Sequence, residues 1–195
     1  DGDTVSSSVQ WMINGVVVSN QGAHLSNTLI SAGDLITAQL VPNDGYDSGT
    51  SAIDSVTVLN TVPTLASASI TPTNPTVEDT LACVPFGWFD PDNGVESYVF
   101  NWTINASPVS GTSTGELPLS AYSAGDVAQC TVAPSDGQDQ GGSVASASVT
   151  VLNAPPTLSN FALDNLAPYR ADVITLSYSA ADADGDAFTE QLDWQ

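Results

Sequence analysis

Three acidic, turn-forming stretches return at a fixed interval, and each precedes a tryptophan. They are Asp1-Gly2-Asp3, Asp90-Pro91-Asp92-Asn93-Gly94 and Asp182-Ala183-Asp184-Gly185-Asp186, and the tryptophans that follow, Trp11, Trp102 and Trp194, stand 91 and 92 residues apart. The last twelve residues, DGDAFTEQLDWQ, align without a gap on the first twelve, DGDTVSSSVQWM. Such a period makes the chain a tandem array of one unit of about ninety residues, so any fold assigned to it is the fold of that unit. Thr57-Val58-Leu59-Asn60 and Thr150-Val151-Leu152-Asn153 mark the junctions, and a Pro-Thr pair (Pro63-Thr64, Pro156-Thr157) opens each following unit. The expected division is the C-terminal part of a repeat over 1–60, a complete repeat over 61–153 and the N-terminal part of a further repeat over 154–195.

The unit is built of strands. Val9, Trp11 and Ile13 alternate along the chain up to Asn14-Gly15, a hairpin turn signal, after which Val16-Val17-Val18 returns. Leu25 with Leu29 and Ile30 predicts a further short strand, Ile36, Ala38 and Leu40 another, and Ile53, Val56 and Val58 a closing one. The middle unit repeats this order. Its first strand is expected from Leu65 to Ile70 and its second from Leu81 and Cys83; Phe100, Trp102 and Ile104 match Val9, Trp11 and Ile13. Leu117 and Leu119 match the Leu25 region, Ser123-Ala124-Gly125-Asp126 copies Ser31-Ala32-Gly33-Asp34, and Ala128, Cys130 and Val132 lead to a last strand with Val144, Val149 and Val151. From 154 the cycle restarts with Leu158, Phe161 and Leu163, then Val173, Ile174, Leu176 and Tyr178. About seven short strands per unit, regular turn signals and no amphipathic helical stretch predict an all-β fold of tandem antiparallel sandwiches.

Charge narrows the partners. The chain carries 22 acidic residues against a single basic one, Arg170, for a formal charge of −21. That excludes electrostatic binding to nucleic acid and argues against anionic membranes, and it leaves a cation as the ionic partner. With 42% of residues hydrophobic and placed in short alternating runs, the chain is a folding one rather than an acidic disordered one. It has no apolar run long enough to insert in a bilayer.

Catalysis finds few tools here. One histidine, His24, no lysine and no HExxH run or glycine-rich phosphate loop leave the usual bases and nucleophiles for acyl transfer missing. Two Asp could still act as acid and base on a glycoside, but acids that recur at equivalent loops of every unit suit a structural ion site better than one tuned centre. No enzymatic activity is expected.

The acidic loop, the strand tryptophan, the Asp-Gly loop before the last strand and the TVLN junction together resemble the tandem immunoglobulin-like, PKD-like and cadherin-like repeats of large bacterial surface proteins. Cys83 on the second strand, Trp102 on the third and Cys130 on the sixth stand in the order of an immunoglobulin domain, where a disulfide joins the sheets against a buried tryptophan. The resemblance therefore implies a Cys83–Cys130 bridge, two buried thiols being the alternative. It also implies an extracellular, cell-surface or secreted location, an adhesive or scaffolding role, and frequent calcium binding.

In that topology the loop between strands two and three and the loop between strands six and seven share one end with the entering linker. The middle unit gathers there Asp90 and Asp92, Asp136 and Asp139, with Asn60 in the linker; the first offers Asp1, Asp3, Asp44 and Asp47, and the third Asp182, Asp184 and Asp186. Crowded carboxylates without basic neighbours are relieved only by protons or cations. Oxygen donors on tight loops suit Ca²⁺, whereas Zn²⁺ would want histidine and cysteine. The alternative is that these are ordinary solvated Asp-Gly turns.

The leading expectation is a structural or adhesive segment of a long repeat protein, stiffened by calcium, with neighbouring repeats, glycans or cell-surface proteins as partners. A carbohydrate-binding accessory module of a secreted enzyme would need a flat aromatic row, for which Trp88, Phe89 and Tyr98 are the candidates. A third reading is a subunit of a strand-donation polymer, because 1–60 lacks the first two strands of a sandwich and 154–195 supplies them; the missing halves then come from the same chain or from another copy.

Overall fold

The computed structural model describes residues 4–19, 22–111 and 114–193. It is all-β, with antiparallel sheets, and its helical content among the described residues is two 3₁₀ turns, Asn27–Leu29 and Leu119–Ala121. Two compact units are distinguished. One holds the chain up to Pro63 with Phe89–Glu96 and Ser135–Gln140; the other holds Thr64–Trp88, Ser97–Pro134 and the chain from Gly141 on.

The first unit contains a four-stranded sheet of β1 (Ser6–Ile13), β2 (Val16–Val18), β3 (Leu35–Asn43) and β4 (Ala52–Thr57), in the order β2-β1-β3-β4. Asn14 and Gly15 both take positive φ, 51° and 78°, so the β1–β2 connection is the two-residue turn whose twist matches its strands. Register sets the faces: Val9 lies opposite Leu40, Trp11 opposite Ala38 and Ile13 opposite Ile36, while Val56 pairs with Ile36 across β3–β4. Residues directly opposite share a face, so all of these form one apolar surface. Ile53, expected beside Val56 on that surface, pairs with Gln39 and points the other way.

The strand expected around Leu25, Leu29 and Ile30 does not form. Asn27–Leu29 is instead a 3₁₀ turn, started by Ser26, whose Oγ accepts from the Thr28 N–H. A strand needs a neighbour, and the equivalent Leu117 has one.

That neighbour belongs to the second unit, which contains β5 (Ser67–Thr71), β6 (Leu81–Phe86), β7 (Ser97–Ile104), β8 (Ser107–Pro108), β9 (Glu116–Leu117), β10 (Val127–Ser135), β11 (Val144–Ala145) and β12 (Val149–Thr150). One sheet runs β5-β6-β9, with Leu81 opposite Leu117; the other runs β11-β10-β7-β8, with β12 also on β10. This is the strand allocation of an immunoglobulin-type sandwich, with the first, second and fifth strand positions facing the rest. Leu81, Leu117, Trp102 and Val132 are almost fully buried between the sheets. Cys83 on β6 and Cys130 on β10 are joined by a disulfide, their Cα atoms 6.2 Å apart, in the same buried cluster as Trp102. Closing a loop of 47 residues stabilises the unit by about 4 kcal/mol in the chain-entropy description.

The last strand position is split for a reason. Leu35 opposite Thr57 and Val127 opposite Thr150 are the same pair in the two sheets, yet the offsets are 92 and 93 residues. The extra residue lies where β11 and β12 part, and there Ser146 is buried. Its Oγ accepts from the Cys130 N–H at 3.1 Å and its own N–H donates to Cys130 O at 2.9 Å, so the interruption leaves no orphan on β10.

The unit also contains the antiparallel pair β13 (Thr157–Leu163) and β14 (Leu176–Ala181). Leu163 opposite Leu176 repeats Ile70 opposite Cys83.

Candidate metal centre

The first acidic loop is held by its own backbone. Asp90, buried, accepts from the Asp92 N–H on Oδ1 at 2.8 Å and from the Gly94 N–H on Oδ2 at 2.9 Å. Asp92 then reaches the linker, its Oδ2 accepting from the Thr61 N–H at 2.6 Å. Asp136, also buried, accepts on Oδ1 from the N–H groups of Gln138 and Asp139 and on Oδ2 from the Asn60 amide at 2.7 Å. The same Asn60 nitrogen donates to Asp139 Oδ2 at 3.0 Å. Asn60 is the largest of the influences that hold the Asp136 carboxyl below the usual range, the Asp139 N–H the next.

Asn60, Asp136 and Asp139 are therefore brought together as the sequence predicts, with a neutral amide between two carboxylates. Gly94 sets the distance between the loops: a Cβ there would lie 2.6 Å from Asp136 Cβ and 2.6 Å from Asp90 Oδ2.

The Asp182 loop repeats the arrangement with one change. Asp182 Oδ1 accepts from the N–H groups of Asp184 at 2.9 Å and Asp186 at 3.2 Å, and Asp184 Oδ2 accepts from the Ala154 N–H. Ala154 follows Asn153 as Thr61 follows Asn60, so the second Asp of each loop clasps the same point of the entering linker. Asp186 replaces Gly94. That adds a third carboxylate, and one oxygen from each of Asp182, Asp184 and Asp186 lies within 4.8 Å of the others. Among the described residues this is the group of acids that converges tightly enough to hold a metal ion. Asp184 Oδ1 is buried and has no hydrogen-bond partner among the described residues. An all-oxygen donor set with one spare buried oxygen fits a hard cation such as Ca²⁺.

No family model matches the chain, and no curated protein matches it.

The remaining candidates stand apart from such a group. Asp44 Oδ1 accepts from the Tyr46 and Asp47 N–H groups at 2.9 and 2.8 Å, the same turn as Asp136 to Asp139, and these bonds, Asp47 first, hold its carboxyl low. Asp1 and Asp3 lie outside the described residues, as does Trp194. His24 is exposed. The aromatic candidates do not share a plane: Trp88 meets Tyr98 edge-on at 5.8 Å and 83°, and Tyr98 packs against the core beside Phe100.

Two further acids have a structural role that the sequence reading passed over. Asp34 Oδ1 accepts from Asn14 Nδ2 at 2.7 Å and Oδ2 from the Ser31 N–H at 2.8 Å; Asp126 does the same with Asn105 and Ser123 at 2.7 and 2.8 Å. The signal was present, since hairpin Asn and turn Asp recur together at offsets of 91 and 92. Asn105 also accepts from the Val127 N–H, so this residue of an Asn-X-Ser pattern is engaged on both sides of its amide.

Proposed function

We propose that this chain is a structural or adhesive segment of a long extracellular repeat protein, of the immunoglobulin-like, PKD-like or cadherin-like style, in which calcium at the acidic loops stiffens the junctions between units. The observation that carries this reading is the recurrence of one contact: Asp92 on the Thr61 N–H and Asp184 on the Ala154 N–H, each fixing an acidic loop to the linker that enters its unit. A cation held by Asp182, Asp184 and Asp186 would neutralise the loop and hold that contact in place. Two other features agree with it. A formal charge of −21 makes cation binding the cheapest relief of self-repulsion, and a disulfide belongs to an oxidising compartment.

The test is calorimetric titration of the full chain with Ca²⁺, alongside melting curves in calcium and in EDTA. Binding heat, a higher melting temperature in calcium, and loss of both in Asp184→Asn are expected. Identical melting curves with no binding heat would overturn the proposal.

A further inference from the structure

Two open apolar faces in this chain are the two halves of one sandwich, and the middle unit shows how such halves fit. On the four-stranded sheet, Ile36, Ala38 and Leu40 occupy the positions of Ala128, Cys130 and Val132, as the matching bonds Leu35 N–H to Asn14 Oδ1 and Val127 N–H to Asn105 Oδ1 establish. Val132 is 0% exposed, whereas Leu40 is 41% exposed. On the β13–β14 hairpin, Leu158, Leu163 and Ile174 occupy the positions of Leu65, Ile70 and Leu81. They are 66%, 40% and 38% exposed against 9%, 4% and 0%. The first sheet is thus the β7-β8-β10 side of a sandwich with its cover missing, and the hairpin is the β5–β6 cover.

We propose that the occupant of each face is the other face on a second copy of this chain: the β13–β14 hairpin of one copy lies across the β1–β3–β4 face of the next, as β5–β6 lies across β7 and β10. This goes beyond the calcium reading and does not depend on it. The hairpin groove, lined by Leu158, Phe161, Tyr178, Phe188 and Leu192, is partly filled by its own following segment, which forms no strand. That segment repeats the sequence of β1, and β1 of the partner takes its place. Both faces are apolar apart from Asp54 opposite Ala38, while each chain carries −21, so association is driven by burial and opposed by charge.

The disulfide supplies a direct test, because Ala38 and Leu176 stand where Cys130 and Cys83 stand. Ala38→Cys/Leu176→Cys protein, incubated with oxidised glutathione in EDTA, is expected to form a ladder of disulfide-linked multimers on a non-reducing gel. Gln39→Cys/Leu176→Cys, with one thiol on the opposite face, should not. Sedimentation gives an independent measure: the unmodified chain should exceed its 20.0 kDa monomer mass with rising concentration, more so at high salt. Leu40→Asp and Leu163→Asp should each remain monomeric alone, yet a mixture should form a dimer, since each retains one intact face. A monomer at all concentrations, or an Ala38–Leu176 position pair that closes only within one chain, overturns the proposal; either result in EDTA leaves the calcium reading standing.

Discussion

Asn105 donates to Asp126 at 2.7 Å, and Asn14 donates to Asp34 at the same distance. In both sheets an asparagine at a positive-φ hairpin position ties that turn to the acid of a Ser-Ala-Gly-Asp turn on another connection. A hydrogen bond to a charged acceptor contributes about 2 kcal/mol. Asn105→Ala should therefore destabilise the middle unit by about that amount, with a little added because Ala tolerates φ of 49° less well than Asn. Urea denaturation, followed by tryptophan fluorescence, measures it. An effect within ~0.3 kcal/mol of zero would mean that the clasp is decorative.

Reduction of the Cys83–Cys130 bridge should cost more. Without it the unfolded chain regains the freedom of a 47-residue loop, and about 4 kcal/mol is lost. Cys83→Ala/Cys130→Ala protein should melt well below the oxidised protein, and thiol titration of the unmodified protein under denaturing conditions should find none free. The four-stranded sheet, with Ala38 at the equivalent place, should be indifferent to reductant.

The Asn60 amide makes a pH-dependent contribution whose sign is fixed by the direction of the shift. Asp136 is held below its ordinary 3.8, chiefly by Asn60, so its folded state favours the carboxylate. The stabilisation is complete above the unfolded value and disappears as pH falls through the lower, folded one. The difference in melting temperature between unmodified and Asn60→Ala protein should thus be constant above about pH 5 and shrink towards zero below 3.8. A difference that grew as pH fell would contradict this assignment.

Gly94 should be intolerant of even one methyl group. An added Cβ would stand 2.6 Å from Asp136 Cβ and from Asp90 Oδ2, both on loops fixed by several hydrogen bonds, so the loops must part. Gly94→Ala should cost about 1–3 kcal/mol, the range of overpacking. Gly142→Ala, where nothing lies within 4 Å and φ is ordinary, is the control and should be neutral or slightly stabilising.

Most of the architecture was legible because it rests on local pattern. The alternation Val9-Trp11-Ile13, the Asn14-Gly15 turn and the order Cys83, Trp102, Cys130 each specify geometry within a few residues, and the strands, hairpin and bridge follow. What escaped the sequence depends on partners distant in the chain. Leu25 and Leu117 sit in similar stretches, but only Leu117 has a β6 to pair with, so one stretch became a 3₁₀ turn and the other a strand. Gly94 reads as a turn glycine until Asp136 is placed against it. In the acidic loops the chemistry was visible and its distribution was not. Asp90, Asp92 and Asp136 are engaged by N–H donors, while the Asp182 loop, differing by a single Asp for Gly, is the one that draws three carboxylates together.

The outward step at Ser146 has a consequence for how such an array can be inherited. Side chains on a strand alternate, so one added residue would ordinarily turn every later side chain from the core to the solvent. Here Val144 still pairs with Val132 before the step and Val149 with Ala128 after it, as Ala52 with Leu40 and Val56 with Ile36 do in a sheet without it. A gene that duplicates this unit can therefore gain or lose one codon at that position without reversing the faces that follow, and copies of unequal length can stand side by side in the same reading frame.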